Sequence, residues 1–273
     1  MHRTPGGAHP GYVVDVSSTS TAVHRKSWPG APPGFFAAEA AGLRWLAEAT
    51  AAGGARMVDV RGVGDDHIDL VQLHPVPPTA EAAEALGRAL AITHGMGAAA
   101  FGSPPPAWTG AAWIGRQAQP NEPTASWGLF FAEQRVRPFV RRAVRHRHLD
   151  ESGARVVERV CDRLAEGRYD DDRPPARIHG DLWSGNVVFT GDGAVLIDPA
   201  AHGGHGLTDL AMLALFGCPG LDRIGAAYEE AAALTPGWRA LIELHQLHPL
   251  ATHAASHGPG YAVHLVQVAR TFL

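Results

Sequence analysis

The stretch Arg177-Ile178-His179-Gly180-Asp181-Leu182-Trp183-Ser184-Gly185-Asn186 places an acid and an amide five residues apart, and a second acid, Asp198, follows after an apolar ribbon. That ribbon reads Val187-Val188-Phe189-Thr190, then Gly191-Asp192-Gly193, then Ala194-Val195-Leu196-Ile197. Two apolar or β-branched runs around a glycine-containing turn predict a β-hairpin. With residues 191–193 as the loop, Thr190 faces Ala194, Val188 faces Leu196 and Asn186 falls opposite Asp198. Facing residues of an antiparallel pair lie about 4.5–5.5 Å apart, so oxygen-bearing side chains converge at the open end, with Asp181 one short loop upstream. Two carboxylates and an amide oxygen suit a hard, oxygen-seeking cation such as Mg²⁺. Asn186 and Asp198 are the candidate metal ligands, which leaves Asp181 to accept or orient a hydroxyl proton. Those are the parts needed for phosphoryl transfer. Singly, each residue has a plainer explanation as a turn cap or a strand end. The hairpin, the spacing and the flanking residues together favour the chemical one.

The elements that must position these groups fall into two regions. Residues 12–16 and 21–26 predict a hairpin, residues 35–50 an amphipathic helix, and 57–61 and 67–73 two more strands. Pro75, Pro77 and Pro78 mark a lobe boundary, so the expected domains are residues 1–74 and 75–273. Beyond it, Thr79 caps a helix running to His94, with Gly95 as its stop. Residues 98–125, rich in Pro and Gly, predict a long surface loop. Helices follow at 126–147, 152–166, 207–216, 221–233 and 237–255, around a β section at 177–198. A small β-rich lobe with one helix and a larger helical lobe make a two-lobe α+β architecture.

Composition narrows the field. The 273 residues are 45% hydrophobic and 18% charged, with a net charge of −4, as in ordinary globular proteins. No clustered basic surface of the kind nucleic acid requires is evident; the run Arg135 to Arg147 reads as a helix with one solvated cationic face. The two cysteines, Cys161 and Cys218, form no metal pair or disulfide framework, which with the lack of a signal-type N-terminus or a membrane-length apolar run predicts a cytoplasmic protein. His245 and His248, three apart on a helix, lack the Cys or His-Glu pattern of a zinc site. His202-Gly203-Gly204-His205 has no partner nucleophile in a G-x-S-x-G setting.

Asp181, Asn186 and Asp198 also meet the kinase catalytic-loop pattern. More specifically, HGDLWSGN, followed by LIDPAAHGGHG and TDLAM, resembles the fructosamine-3-kinase (ketosamine-3-kinase) family, a branch of the aminoglycoside-phosphotransferase-like, protein-kinase-like fold. KSWPGAPPGFFAAEAAGLRWLAEA, FFAEQRVRP and LHQLHPLATHA extend the resemblance over nearly the whole chain. It implies ATP and Mg²⁺ as cofactors, Asp181 as catalytic base, and Asn186 and Asp198 as the metal ligands. It implies that Lys26 contacts the α- and β-phosphates, that Glu39 pairs with that lysine, and that residues 71–74, through Val71 and Leu73, hold adenine. Trp183 and His179 fall on the substrate side, with Trp183 stacking on a sugar face. The implied substrate is a ketosamine, a small glycated amine or glycated protein lysine, phosphorylated at the sugar 3-hydroxyl in a deglycation role. A monomer or weak dimer is expected, with no nucleic-acid or membrane partner.

Two departures accompany the resemblance. The glycines Gly6, Gly7 and Gly11, which could cover phosphate, lie almost at the start of the chain, so the first lobe is expected to be short, as if truncated at its start. Gly206-Leu207 stands where the family often has Arg-Glu, an exchange expected to alter a salt bridge or the pocket. The rival expectations are an aminoglycoside or choline kinase of the same fold, the former with an acidic pocket, and a nucleotide-binding pseudokinase.

Overall fold

The structure, a computed structural model, describes residues 22–273. The expected strand at 12–16 and the glycines before it lie outside that range. β1 (Val23–Ser27) is followed by α1 (Phe35–Ala47), which a 3₁₀ turn extends to Ala52, and then by β2 (Arg56–Met57), β3 (Val60–Val63) and β4 (His67–Val71). β4 is the centre of an antiparallel sheet ordered β1-β4-β3. α1 buries Phe36, Ala40, Leu43 and Leu46, the helical spacing read in the sequence, against the sheet residues Ile68 and Leu70.

Next come α2 (Ala80–Gly95), a small hairpin of β5 (Ala112–Ile114) and β6 (Gln117–Gln119), α3 (Trp127–Phe130), α4 (Arg137–Arg145) and α5 (Glu151–Ala165). Thr79 caps α2 as expected, its hydroxyl accepting from the Ala82 amide at 3.2 Å. The 98–125 stretch is not simply surface loop: it contains the β5–β6 hairpin, and Trp108 and Trp113 from it face the cleft. A π-helical turn over Phe131–Val136 joins α3 to α4. Its extra residue rotates the helix face. As a result Arg135, expected on a solvated cationic stripe, is only 1% exposed. Arg137 is instead tied to Glu133, Glu158 and Asp162.

β7 (Ala176–Ile178) leads into the motif loop, followed by β8 (Val187–Thr190), β9 (Gly193–Leu196) and β10 (His202–Gly204). The chain ends in α6 (Leu207–Phe216), α7 (Leu221–Ala231), α8 (Ile242–His245), α9 (Leu247–His257) and α10 (Pro259–Thr271). Gly258 and Pro259 are not the end of helical structure; proline occupies the first turn of α10, where its missing N–H costs nothing. No helix among the described residues is long and apolar enough to cross a membrane.

The β8–β9 hairpin forms, but its register is one residue off the expectation. Thr190 pairs with Gly193, Val188 with Val195 and Val187 with Leu196, so the loop is Gly191-Asp192 alone. Gly193, at φ 106°, joins the strand end instead of the loop. Asn186 therefore aligns with Ile197, whose amide donates to the Asn186 carbonyl at 3.1 Å. Asp198 lies one residue further on and takes a left-handed φ of 55°, which turns the chain out of the strand. β9 also pairs in parallel with β2, and the Val76 amide donates to the Phe189 carbonyl, so the hairpin is joined to the first lobe. α1 rests on the segment after Asp198: a Cβ at Gly42 would lie 3.0 Å from that of Ala201 and 3.5 Å from the Pro199 ring.

Beneath the motif loop, three helices hold one polar chain. Asp209 of α6 accepts from the backbone amides of His179 at 2.8 Å and Gly180 at 2.9 Å. Its second oxygen also takes the His94 Nε2–H of α2 at 3.0 Å, which leaves His94 Nδ1 to accept from the Tyr228 hydroxyl of α7 at 2.8 Å. Burial raises the Asp209 carboxyl, but the bonds and charges from His94 and His179 outweigh it and hold the group below the usual range. Burial pushes the Tyr228 phenol up, so it stays a donor. Gly206 belongs to this chain: a Cβ there would lie 2.4 Å from the Tyr228 oxygen and 2.7 Å from His94 Nδ1. Gly206 thus leaves room for the Tyr228–His94 bond. Gly206→Ala is expected to lower stability by roughly 1–3 kcal/mol through overpacking and loss of that bond. Thermal denaturation of the purified variant checks this, and an unchanged midpoint would contradict it.

Candidate active site

The loop from His179 to Asn186 can turn as it does because residue 180 is glycine. Gly180 has φ 80°, and a Cβ there would meet the Ala200 carbonyl at 2.4 Å and the His202 ring at 2.9 Å. Leu182, fully buried, pins the middle of the loop into the apolar core between the lobes. A 3₁₀ turn over Ser184–Asn186 then delivers Asn186 to the start of β8.

Asp181, Asn186 and Asp198 line one cleft together with Lys26, Glu39 and Trp183. Lys26, on β1, donates to Glu39 of α1 at 2.8 Å and lies 3.1 Å from Asp198. Burial works against the ammonium, but the attraction of Glu39 and Asp198 overcomes it and raises its pKa, so Lys26 stays charged. Glu39 is pushed up by burial and by Asp198, against the pull of Lys26, and its Oε1 has no hydrogen-bond partner among the described residues. Asp181 lies at the cleft floor. Desolvation first, then the negative charges of Asp198 and Asp209, push its carboxyl up to about 7, against Lys26 and a hydrogen bond from Asn186.

The donor set fits a hard divalent cation. Asn186 Nδ2 donates to the Asp181 carbonyl at 2.7 Å, which leaves its amide oxygen as an acceptor beside Asp181 and Asp198. The Asp181 carboxyl is pushed up mainly by burial and then by the neighbouring Asp198 and Asp209, and a divalent cation beside it would favour its ionised form.

His179 is placed differently from its expected substrate-side role. The ring is nearly inaccessible, its Nε2–H donating to the Ile197 carbonyl at 2.9 Å and its Nδ1 accepting from the Asp181 amide at 3.3 Å. It braces the loop instead of lining the cleft, because a histidine followed by a glycine at φ 80° is turned back under its own chain. Burial, outweighing the pull of Asp209, lowers its pKa and keeps it the neutral acceptor this bracing needs. Trp183, in contrast, is 42% exposed. Its indole covers Gly185, where a Cβ would clash at 2.2 Å, and its other face is free to stack.

Two chambers flank this centre. One, of about 230 Å³, is lined by Lys26, Val58, Leu70, Val71, Leu73, Val188 and Ile197. Val71 and Leu73 are both there, at the end of β4; the Leu73 carbonyl takes a hydrogen bond from the Gln72 side chain at 3.0 Å. The other, of about 620 Å³, shares Asp181 and Trp183 and is walled by Arg116, Phe216, His253, His257 and Tyr261. His253 stacks on His257 with centroids 5.0 Å apart and lies 4.9 Å from Tyr261. Trp108, Trp113 and Asn121 also line the central cleft from the 98–125 stretch, and a Pro- and Gly-rich segment carries no periodicity in the sequence that reveals them.

In the absence of any metal ion, Asp181 is stabilising only while protonated. Its contribution is full below its ordinary value of 3.8 and is lost as pH rises through about 7. Asp181→Asn should therefore match the parent's thermal stability near pH 4 and exceed it at pH 8 in EDTA. A melting difference that does not change over this range would contradict the assigned environment.

The fructosamine kinase family model matches residues 5–273. A Thermus thermophilus protein assigned as a ketoamine kinase is 32% identical over 240 residues, 84% of this chain and 79% of its own length. The solved structure of a Thermobifida fusca protein assigned as a fructosamine-3-kinase superposes with a TM-score of 0.85 at 46% identity, covering 92% of this chain and 85% of that one. A ternary complex of an aminoglycoside phosphotransferase with ADP and hygromycin B shares the fold alone. Its TM-score is 0.50 at 15% identity, with 84% and 83% of the two chains covered.

Proposed function

The chain belongs to the fructosamine kinase family, phosphotransferases acting on a hydroxyl group, and we propose that it moves the γ-phosphate of ATP to the 3-hydroxyl of a ketosamine. The observation that carries this reading is the meeting of Asp181, Asn186 and Asp198 with the Lys26–Glu39 pair in one cleft, between an apolar chamber on one side and an aromatic one on the other. The apolar chamber behind Lys26 suits adenine, held through backbone groups at Val71 and Leu73. Lys26 then faces the phosphates. Asn186 and Asp198 would hold Mg²⁺, which supplies charge neutralisation to the phosphate oxygens.

The acceptor sugar lies against the free face of Trp183, an aromatic plane matching the apolar face of a sugar. Its attacking hydroxyl points at Asp181, and an Asp181 carboxylate oxygen takes the proton as the hydroxyl oxygen bonds to the γ-phosphorus and the bond from that phosphorus to the β,γ-bridging oxygen breaks, releasing ADP. At a pKa near the working pH, Asp181 can accept that proton and release it afterwards. Phosphorylation at carbon 3 makes the sugar–amine adduct easier to break down, which fits a role in protein deglycation.

The larger chamber favours a ketosamine over an aminoglycoside. A polycationic acceptor calls for several carboxylates, and Asp181 is the one acidic residue lining this chamber, which also carries Arg116. Retention of Asp181, Asn186 and Asp198 with an assembled lysine–glutamate pair likewise argues against a pseudokinase.

ATP consumption with ribulosamines, fructosamines, choline and an aminoglycoside tests the proposal. Turnover is expected with ketosamines alone, and Asp181→Ala should reduce it at least 100-fold, in line with loss of a positioned base. Preference for choline or the aminoglycoside, or undiminished turnover by the variant, would overturn it.

A further inference from the structure

Arg135 is the most deeply buried cation among the described residues, and no carboxylate there pairs with it. Its donors are spent on neutral acceptors: Nη1 on the carbonyls of Pro120 at 2.6 Å and Gln134 at 3.1 Å, Nε on His202 Nε2 at 3.3 Å, and Nη2 on Asn121 Oδ1 at 2.5 Å. The guanidinium also lies 4.4 Å over the Phe130 ring. His202 Nδ1–H donates to the Ala200 carbonyl at 2.7 Å, so its Nε2 is free to accept.

The consequence falls on Asn121. An asparagine amide can be turned either way, donor or acceptor outward. Here Arg135 can only donate, so it fixes the oxygen of Asn121 toward itself. Among the described residues the amide NH₂ has no hydrogen-bond partner. Asn121 lines the same cleft as Asp181, Asn186, Asp198 and Trp183. Arg135 itself is anchored behind the Asp198 segment through His202 and Ala200, so the amide is held by the framework that carries the metal ligand.

We propose that Asn121, oriented by Arg135, is a substrate-contacting residue whose amide NH₂ donates a hydrogen bond to an oxygen of the bound reactants. Resting on the kinase reading above, this adds a fixed donor to a cleft otherwise dominated by carboxylates. The acceptor is either an oxygen of the ketosamine sugar or one on the transferring phosphoryl group. Both are oxygen acceptors, and a buried cation behind the amide strengthens its donation to either.

Steady-state kinetics of Asn121→Asp and Asn121→Ala with the parent's best ketosamine test the proposal. Asn121→Asp still gives Arg135 an acceptor, and a charged one, so its melting temperature should equal or exceed the parent's. Both variants lose the donor, and kcat/KM should fall at least 30-fold in each, about 2 kcal/mol. A loss confined to KM for the ketosamine would place the acceptor on the sugar, and a loss in kcat would place it on the phosphoryl group; either supports the proposal. A folded variant of either kind with kcat/KM within threefold of the parent would overturn it. Should Asn121→Ala fail to fold, Asn121→Asp carries the test alone. A parent inactive on every ketosamine would count against the proposed function instead, which separates the two failures.

Discussion

The active loop hangs from one buried carboxylate. Asp209 accepts two successive backbone amides, those of His179 and Gly180, and the same group is gripped by His94 from α2. Backbone amides cannot be left unpaired in a protein interior without a cost comparable to a lost hydrogen bond. The loop therefore has one low-energy position, and Asp181 is presented from it. His179 completes the arrangement from the other side by bonding to the chain on both flanks of the cleft, at Ile197 and at Asp181. Three helices distant in sequence thus fix the height and tilt of a turn that its own residues could not hold.

The electrostatics of the cleft follow from this placement. Asp181, Asp198 and Glu39 gather around one lysine, while Asp209 is buried beneath the loop among its donors. Asp209 is stabilised as an anion by its donors, while Asp181 and Glu39 are pushed upward by burial and by their neighbours. Similar side chains end in different protonation behaviour because their hydrogen-bond partners differ. An uncompensated excess of negative charge at the floor of the cleft is what a divalent cation and a phosphate chain, arriving together, would relieve. Asn121 lines the same cleft, with the buried Arg135 guanidinium bonded to its amide oxygen from behind.

Much of the centre was legible in the sequence because it is local. The hairpin, its apolar strands and the two flanking acids lie within about twenty residues, and the helix bearing Glu39 shows its buried stripe plainly. The register was misplaced by one because Gly191 and Gly193 can each close a turn and nothing local chooses between them. The last expected helix spans 237–255, and α10 beyond it, opened by Pro259 at its first turn, was not read in the sequence. The remaining gaps are long-range or conformational. Nothing in the sequence links Asp209 to the amides at 179 and 180, or Arg135 to Asn121 across a π-helical turn that rotates one arginine out of a basic run into the core. The exchange at Gly206, expected to alter a salt bridge or the pocket, becomes intelligible only once Tyr228 and His94 are seen in the space beside it.

The contact of α1 with the residues after Asp198 bears on control. Gly42 brings the helix backbone against Ala201 and Pro199, and the same helix carries Glu39 to Lys26. A protein that switches by swinging this helix outward needs slack on that side, and here the gap is closed by direct packing. The lysine–glutamate pair, 2.8 Å apart, therefore depends on the same packing. Outward rotation of α1 would have to open that packing and part Glu39 from Lys26 in a single movement.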